Sequence, residues 1–419
     1  MSIKNFIASR YPALTSRDFF IFWVGQFVSL IGTWMQNTTQ PYLAYRLTGR
    51  PFDLGLIGFA GMLPTLLLAL PGGVIVERLN KRKVVIWMQA VQMLQAFILA
   101  YLALTGTVQI WHIAVLAFIL GTASAFEITA RQAMLIELVG REALPNAIAL
   151  QSTIFNLARV LGPSLAAPFL VLLGNQGEGW AFLANGVSYL FVITGLLFVR
   201  TPFQLTVRSG PRNWMGDFHE GQKYIRQNVV VGLIMLMAGM LGFIGYPFLQ
   251  QIPAIARDLL VQSGDTEAFV AARTSALYTA QGIGALLASI IVASHNVRRK
   301  GLWLTIGQAA FILGFLAIGL THSPNIAYII LVVMGWGSVT HLAIMNILIQ
   351  LEVPDQLRGR VFSTYLWALQ GVAPFGSLLV GWMAQSWGLS QTALVCGAAC
   401  LIAIGGIHLI NPQLRKQTG

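Results

Sequence analysis

The sequence predicts an all-α membrane protein with twelve transmembrane helices in two pseudo-symmetric six-helix bundles. Three observations lead there. Of the 419 residues, 56% are hydrophobic and only 10% are charged, whereas ordinary soluble domains carry about 25% charged residues. Lipid must therefore solvate most of the surface. Apolar stretches long enough to cross a bilayer as a helix, about 20 residues, recur along the whole chain. Basic residues gather in alternate gaps between those stretches, as expected when cytoplasmic loops hold Lys and Arg.

The polar, basic start through Arg17 leads into a first span that is too long for a signal peptide and has no small-residue cleavage site. Spans in the first half are expected at 18–44, 54–76, 84–105, 111–132, 146–173 and 180–199. Those in the second half are expected at 229–252, 269–293, 301–320, 326–350, 360–385 and 390–410. Between the halves lies the polar stretch 201–228, with Gly210-Pro211 and an amphipathic helix from Trp214 to Arg226. That helix has two open readings. Trp214, Phe218 and Ile225 lie on the membrane surface with basic residues toward phosphate, or the helix is a plain linker. Either way the organisation is a bundle over 1–200, a linker over 201–228 and a bundle over 229–419.

Placing the N-terminus in the cytoplasm puts 21 of the 26 basic residues on that side, including Arg78, Lys81, Arg82 and Lys83. Arg46, Arg50, Arg257 and Arg273 fall outside and Arg159 falls within a span. The expectation is an inner-membrane, multi-pass chain with both ends cytoplasmic. The net charge of +12 is spread over alternating loops, so no nucleic-acid footprint is expected. Cys396 and Cys400 are one helical turn apart in the last apolar stretch and read as packing residues.

An internal repeat supports the division. A shift of 214 residues pairs Gly121 with Gly335, Val139 with Val353, Gly162 with Gly376 and Gly174 with Gly388. Parallel repeats of this kind are a transporter architecture, with the substrate site near the midplane.

The loop after the second span reads Gly73-Val74-Ile75-Val76-Glu77-Arg78-Leu79-Asn80-Lys81-Arg82-Lys83. Cations suit a helix C-terminus, and Asn80 suits a tight turn. This ordered spacing resembles the loop between helices two and three of the major facilitator superfamily, G-x-L-A-D-R-x-G-R-K, with Glu77, Asn80 and Lys81 as conservative departures. The resemblance implies a gating role for Gly73, Glu77, Arg78, Asn80, Lys81 and Arg82. In the fifth span, Gly162-Pro163 with Ala158, Ala166 and Ala167 resembles the superfamily's antiporter motif. Arg131-Gln132-Ala133, Glu137-Leu138-Val139, Asn146-Ala147 and Leu357-Arg358-Gly359-Arg360-Val361 resemble the branch of drug and siderophore exporters.

Of fourteen acidic residues, thirteen fall in loops or near span ends and Glu127 alone sits well inside an expected span. An intramembrane carboxylate is costly and marks a functional candidate. Arg131 follows at i+4, the favourable orientation for a helical ion pair, so a purely structural anchor also accounts for Glu127. Shifting Glu127 by 214 gives His341, the deepest histidine of the second half. On the superfamily's pattern both residues belong to cavity-lining helices. Burial can bring a glutamate into the range where histidine titrates, so Glu127, His341, Arg131 and Arg159 are the proton-coupling candidates.

Gln26, Thr33, Asn37 and Gln40 share one face of the first span, flanked by Trp34 and Gln36. A polar stripe in lipid faces protein or a water-filled cavity, and helix packing or substrate contact would each explain it. With Asn156, and with Met240, Phe243, Tyr246 and Gln250 of the seventh span, these form the candidate substrate cavity. Flexible methionine beside aromatics suits an adaptable apolar pocket. No Gly-x4-Gly-Lys-[Ser/Thr] loop and no metal-ligand spacing occur, so no cofactor or metal is expected. The chain is not expected to be an enzyme, since no group of catalytic side chains clusters at one depth. The expected function is proton-coupled antiport, exporting an amphipathic organic compound from a monomer by alternating access. An importer of the same fold, or a non-transporting receptor or scaffold, are the alternatives.

Overall fold

The computed structural model describes residues 10–203, 214–294 and 299–412, and those residues are almost entirely helical, with no strand among them. The helices are α1 (Arg17–Thr48), α2 (Pro51–Glu77), α3 (Lys81–Leu104), α4 (Ile110–Leu172), α5 (Gly177–Phe198), α6 (Trp214–Gln227), α7 (Val229–Leu249), α8 (Glu267–Ser294), α9 (Lys300–Leu320), α10 (Pro324–Glu352), α11 (Asp355–Trp387) and α12 (Leu389–Ile410). All except α6 are long and apolar enough to cross a membrane, eleven among the described residues. The 63-residue α4 is long enough to cross twice. Its break is Gly140, at φ 74° and ψ 173°, a backbone conformation only glycine adopts cheaply. Twelve crossings follow.

This break corrects one expectation. The polar stretch between 132 and 146 reads as a loop in the sequence, yet it is helical up to and beyond Gly140. At 1.5 Å per residue each arm, 110–139 and 141–172, is longer than a hydrocarbon core of about 30 Å requires, so polar residues near the break need not leave the helix to be solvated. Other starts follow local chemistry. Asn80 caps α3 by accepting a hydrogen bond from the Lys83 amide at 3.1 Å, and α7 starts at Asn228 in the same way, from the Val231 amide at 3.0 Å.

The chain folds as two compact units. One holds the described parts of 1–43 and 63–209, and the other those of 44–62 and 210–419. In the first, α3 packs on α4 and α5 around Val84, Val85, Met134, Leu138, Val192 and Leu196. In the second, α10 packs on α8 and α9. Lipid offers no hydrophobic force between helices, so close approach at small residues must supply the contact. Gly307 faces Gly337 across α9 and α10, and Gly335 sits on the Gln281 carbonyl of α8. The end of α1 and start of α2 belong to this second unit. There the Tyr45 hydroxyl bonds the Asp258 carboxylate, and Gln251 donates to the Pro51 carbonyl at 3.3 Å.

Of the three apolar residues that one of the two readings of α6 places on the membrane surface, Ile225 is buried. It faces protein because α6 docks on α11 and on the end of α10: Tyr224 donates to the Glu352 carbonyl of α10 at 2.7 Å, Gln222 to Thr364 of α11 at 3.3 Å, and Glu220 pairs with Arg360 of α11. The side chains of Trp214 and Phe218 lie outside the described residues. Cys396 and Cys400 are buried and unbridged.

The segment before α8 is held by Arg273, which donates to both Asp265 oxygens at 2.7 Å and to the Ala256 carbonyl at 2.9 Å. The Arg273 bond holds the Asp265 carboxyl below its ordinary 3.8 against a smaller opposing effect of burial. A depressed carboxylate stabilises the fold above its unfolded pKa, and that contribution is lost as pH falls through the folded value. Arg273→Gln is thus expected to lower the unfolding temperature of the detergent-solubilised protein by several degrees at pH 7. The gap to wild type should narrow once pH drops below about 3.8. A gap that widens in acid would contradict the assignment.

Candidate functional site

Glu127 sits in the 110–139 arm of α4, about 20 Å from the Gly140 break at 1.5 Å per residue. It is 5% exposed, and its Oε1 accepts from Arg131 Nε at 3.0 Å. Arg131 also reaches Gln151 Oε1 on the 141–172 arm at 3.5 Å. A carboxylate so placed is held by a charge-assisted hydrogen bond to its neighbour. The geometry is the i, i+4 pair the spacing predicts. Gln151 is an added contact, invisible in the sequence because it lies across a helix–helix contact.

On the 141–172 arm, the Arg159 guanidinium lies 5.3 Å from the centroid of the Trp34 ring. Phe155 meets Trp34 edge-to-face at 5.6 Å, and Asn156 donates to the Ser152 carbonyl at 2.9 Å. Gly162 allows α1 to come this close, since a Cβ there would strike Trp34 and the Met35 backbone. Pro163 is buried within the helix.

The polar residues of α1 divide by partner. Gln36, 1% exposed, donates to Gln40 and to Gln95 of α3 at 3.1 Å each and accepts from Asn185 of α5 at 2.6 Å. Thr33 donates to the Ser29 carbonyl at 2.9 Å and lies 3.4 Å from the Tyr189 hydroxyl. Gln26 and Gln40 are buried as well, whereas Asn37 is exposed and Trp34 half-buried. A membrane hydrogen bond contributes only about 0.6 kcal/mol, but several on one seam fix the register of α1 against α3 and α5.

In the second unit, His341 is fully buried in α10, with Nε2 2.9 Å from the Tyr246 hydroxyl of α7. Phe311 of α9 packs on both rings, at centroid separations of 5.3 Å to His341 and 5.7 Å to Tyr246. A π-helical turn over Leu241–Gly245 rotates the rest of α7 and places Tyr246 there. Such turns insert one residue and recur at functional sites. Met240 precedes that turn and Phe243 lies within it, both half-buried, and Gln250 donates to the Met62 sulfur at 3.6 Å.

In the loop after α2, Lys81 is 6% exposed and pairs with Glu137 of α4, while Arg82 donates to the Leu197 carbonyl of α5 at 3.0 Å. Arg78 is exposed. The side chain of Glu77 and the surroundings of Gly73 lie outside the described residues.

Comparison with known proteins decides what this arrangement belongs to. A family model described as transmembrane secretion effector matches residues 8–418. The chain belongs to that family. Curated relatives of this secretion effector include the staphyloferrin A transporter of Staphylococcus aureus, 24% identical over 94% of this chain and 95% of its own. Macrolide efflux protein A of Streptococcus pyogenes is 24% identical over 95% and 96%. The enterobactin exporter EntS of Escherichia coli is 23% identical over 94% and 91%. Among solved structures, a bacterial homologue of the human lysosomal transporter Spinster, inward-facing and unoccupied, superposes with a TM-score of 0.71 at 16% identity, covering 96% of this chain and 99% of its own. The nucleoside transporter NupG superposes with 0.68 at 10% identity, covering 94% and 99%. The fold is that of the major facilitator transporters, and the secretion effector is a membrane transporter with exporter relatives.

Within the secretion effector, the structure brings Glu127 to Arg131, Arg159 to Trp34, and His341 to Tyr246. Gln95 escaped the sequence reading, and Glu137 entered it only as part of a motif, without its pairing to Lys81. Glu137 falls in the polar stretch read as a loop, and the Gln89, Gln92 and Gln95 spacing on α3 was the available signal for the amide seam.

Proposed function

We propose that this secretion effector is a proton-driven antiporter that exports an amphipathic organic compound, of the drug or siderophore class its relatives' names describe. It acts as a monomer in a bacterial inner membrane with both termini cytoplasmic. The observation that carries the reading is Glu127, a buried mid-helix carboxylate whose cation partner, Arg131, has Gln151 within reach as an alternative. When Glu127 is ionised it holds Arg131. Once protonated it loses most of its attraction for the guanidinium, which then turns toward Gln151 and the 141–172 arm. Proton binding thereby becomes a displacement between the two arms of α4. Alternation of the two halves would let this carboxylate load a proton from the outer face and release it inside as the compound moves out. The bias of Lys and Arg toward the expected cytoplasmic loops supports the orientation. The Lys81–Glu137 pair supports a latch at that face, since it ties the loop after α2 to α4.

The test uses the purified protein in liposomes with an acid interior and a panel of fluorescent amphipathic compounds outside. Uptake of at least one compound should follow the pH gradient and collapse when nigericin dissipates it. Uptake that is indifferent to the gradient across the panel would exclude proton coupling. Paired spin labels on the two faces should also show distances that change with pH, whereas a static distribution would favour a receptor or scaffold.

A further inference from the structure

We propose that α7 and α11 share a hinge, a pair of interlocked π-helical turns from which the C-terminal arms of both helices swing as one block, with the Tyr246–His341 bond as its catch. The hinge lies wholly in the second unit. It goes beyond the proton-coupling reading above, because prolines and glycines build it rather than a titrating group.

Each helix carries one wide turn, Leu241–Gly245 in α7 and Trp367–Gly371 in α11, and a proline follows each, Pro247 and Pro374. Proline has no N–H, and its ring crowds the carbonyl four residues back. A turn widened by one residue lets the helix continue past it. Pro247 cannot donate to Phe243, four residues back, and Pro374 cannot donate to Leu369, the residue five back that a π turn would pair with it. Both of these carbonyls meet a glycine of the opposite helix. A Cβ at Gly242 would lie 2.0 Å from the Leu369 oxygen, and one at Gly376 1.9 Å from the Phe243 oxygen. Such approaches suit weak Cα–H···O contacts. The turns therefore interlock where each helix has given up a backbone donor. Kinks form at such places, and two helices interlocked there bend together. The repeat does not extend to the first unit: 214 residues before the prolines stand Thr33 and Val160, and no π turn occurs among that unit's described residues.

Beyond the hinge the block comprises the chain from Tyr246 to Leu259 and the helix Ala373–Trp387. The corner between α1 and α2 rests on it, since Gln251 donates to the Pro51 carbonyl at 3.3 Å and Gly55 lies on the Ser377 carbonyl. In contrast, α10 runs from Pro324 to Glu352 with no wide turn. His341 on α10 is thus a fixed point. Tyr246, the first residue past the α7 turn, is tied to α10 twice: its hydroxyl is 2.9 Å from His341 Nε2 and 3.5 Å from the Ser338 carbonyl. Swinging the arms parts that hydroxyl from a fully buried imidazole, which costs more than the bond alone and so favours the setting seen here. From Gly371 to Gln385 the α11 arm is about 21 Å long at 1.5 Å per residue. A change of about 20° in the kink therefore moves its tip by about 7 Å.

The experiment measures pulsed dipolar distances between spin labels on the purified full-length protein in nanodiscs. Labels go on Gln385→Cys, near the tip of α11, and Asn325→Cys, at the start of α10, both exposed positions. Cys396→Ser and Cys400→Ser remove the native thiols. The otherwise wild-type chain should show two populations separated by about 7 Å. Pro247→Ala combined with Pro374→Ala restores both N–H groups and should leave one narrow population. Tyr246→Phe removes the catch and should enrich the second population about threefold, the ratio that a membrane hydrogen bond of average strength corresponds to. A general loss of packing would broaden both variants alike. The proposal is overturned if the wild-type pair gives one population as narrow as a control pair along α10, Asn325→Cys with Gln350→Cys. It is equally overturned if the proline variant keeps two populations, or if Tyr246→Phe leaves their ratio unchanged. Should the proline variant not fold, the wild-type distribution and Tyr246→Phe decide the matter. Two populations without pH-driven uptake would refute the proton drive and leave the hinge standing. Uptake with a single narrow distance would refute the hinge alone.

Discussion

Glu127→Gln abolishes pH-driven uptake into everted vesicles, to the level of vesicles without the protein, while exchange of labelled for unlabelled compound continues. The substitution preserves shape and keeps an oxygen to accept from Arg131, but it removes the only proton the cycle is proposed to carry. Net antiport needs that proton to be loaded on one face and lost on the other, whereas exchange at equilibrium does not. The stability cost decides whether the experiment can be read. Removing one partner of a fully buried ion pair costs about 3–5 kcal/mol, because the other charge is stranded. Here the Arg131 side chain is 18% exposed and has Gln151 at 3.5 Å, so the cost should fall to about 1 kcal/mol, as for partly solvated pairs. The variant should therefore insert and unfold within a few degrees of wild type. Glu127→Asp, one methylene shorter, should retain coupled uptake at a reduced rate. Wild-type rates of pH-driven uptake by Glu127→Gln would remove the residue from the mechanism and return it to its alternative role as a helix anchor.

That alternative shows where sequence reasoning runs out. The i, i+4 spacing of Glu127 and Arg131 was enough to predict their contact, since one helix places them on one face whatever surrounds it. The twelve crossings were legible for a similar reason, because lipid leaves a stretch of some 20 apolar residues little choice but to be helical. Contacts between helices were not legible. Lys81 and Glu137 are 56 residues apart, and no periodicity reports that separation. The stripe on α1 was correctly grouped by angle, but angle alone cannot say that Gln36 meets Gln95 and Asn185 while Asn37 is exposed. The two readings of α6 stayed open for a physical reason as well: an amphipathic helix buries its apolar side, Ile225 included, equally well on a membrane or on α11. The stretch around Gly140 misled because polarity marks solvent exposure rather than loss of helix.

The glycine pair picked out by the repeat carries the other large effect. Gly162→Val and Gly376→Val should each destabilise their own unit by about 3 kcal/mol, the upper part of the range for overpacking a tight contact. A Cβ at Gly162 would come within 2.8 Å of the Met35 amide nitrogen, and one at Gly376 within 2.7 Å of the Phe243 carbonyl carbon. Both neighbours are backbone, which cannot rotate aside, so α1 or α7 must move bodily. The two positions are 214 residues apart and do the same work in each half, holding one helix against the unit's first span. Their partners Gly174 and Gly388 behave alike too, with φ of 53° and 85° at the ends of the following helical stretches. The control is Gly405→Ala. A Cβ there meets nothing within 4 Å, and alanine is the better helix former by up to about 1 kcal/mol. Thermal unfolding in detergent should therefore rank Gly405→Ala at or above wild type and both valine variants well below it. Valine variants as stable as wild type would mean that the repeat marks shared ancestry without a shared contact, and each unit would then have to hold its first span by different means.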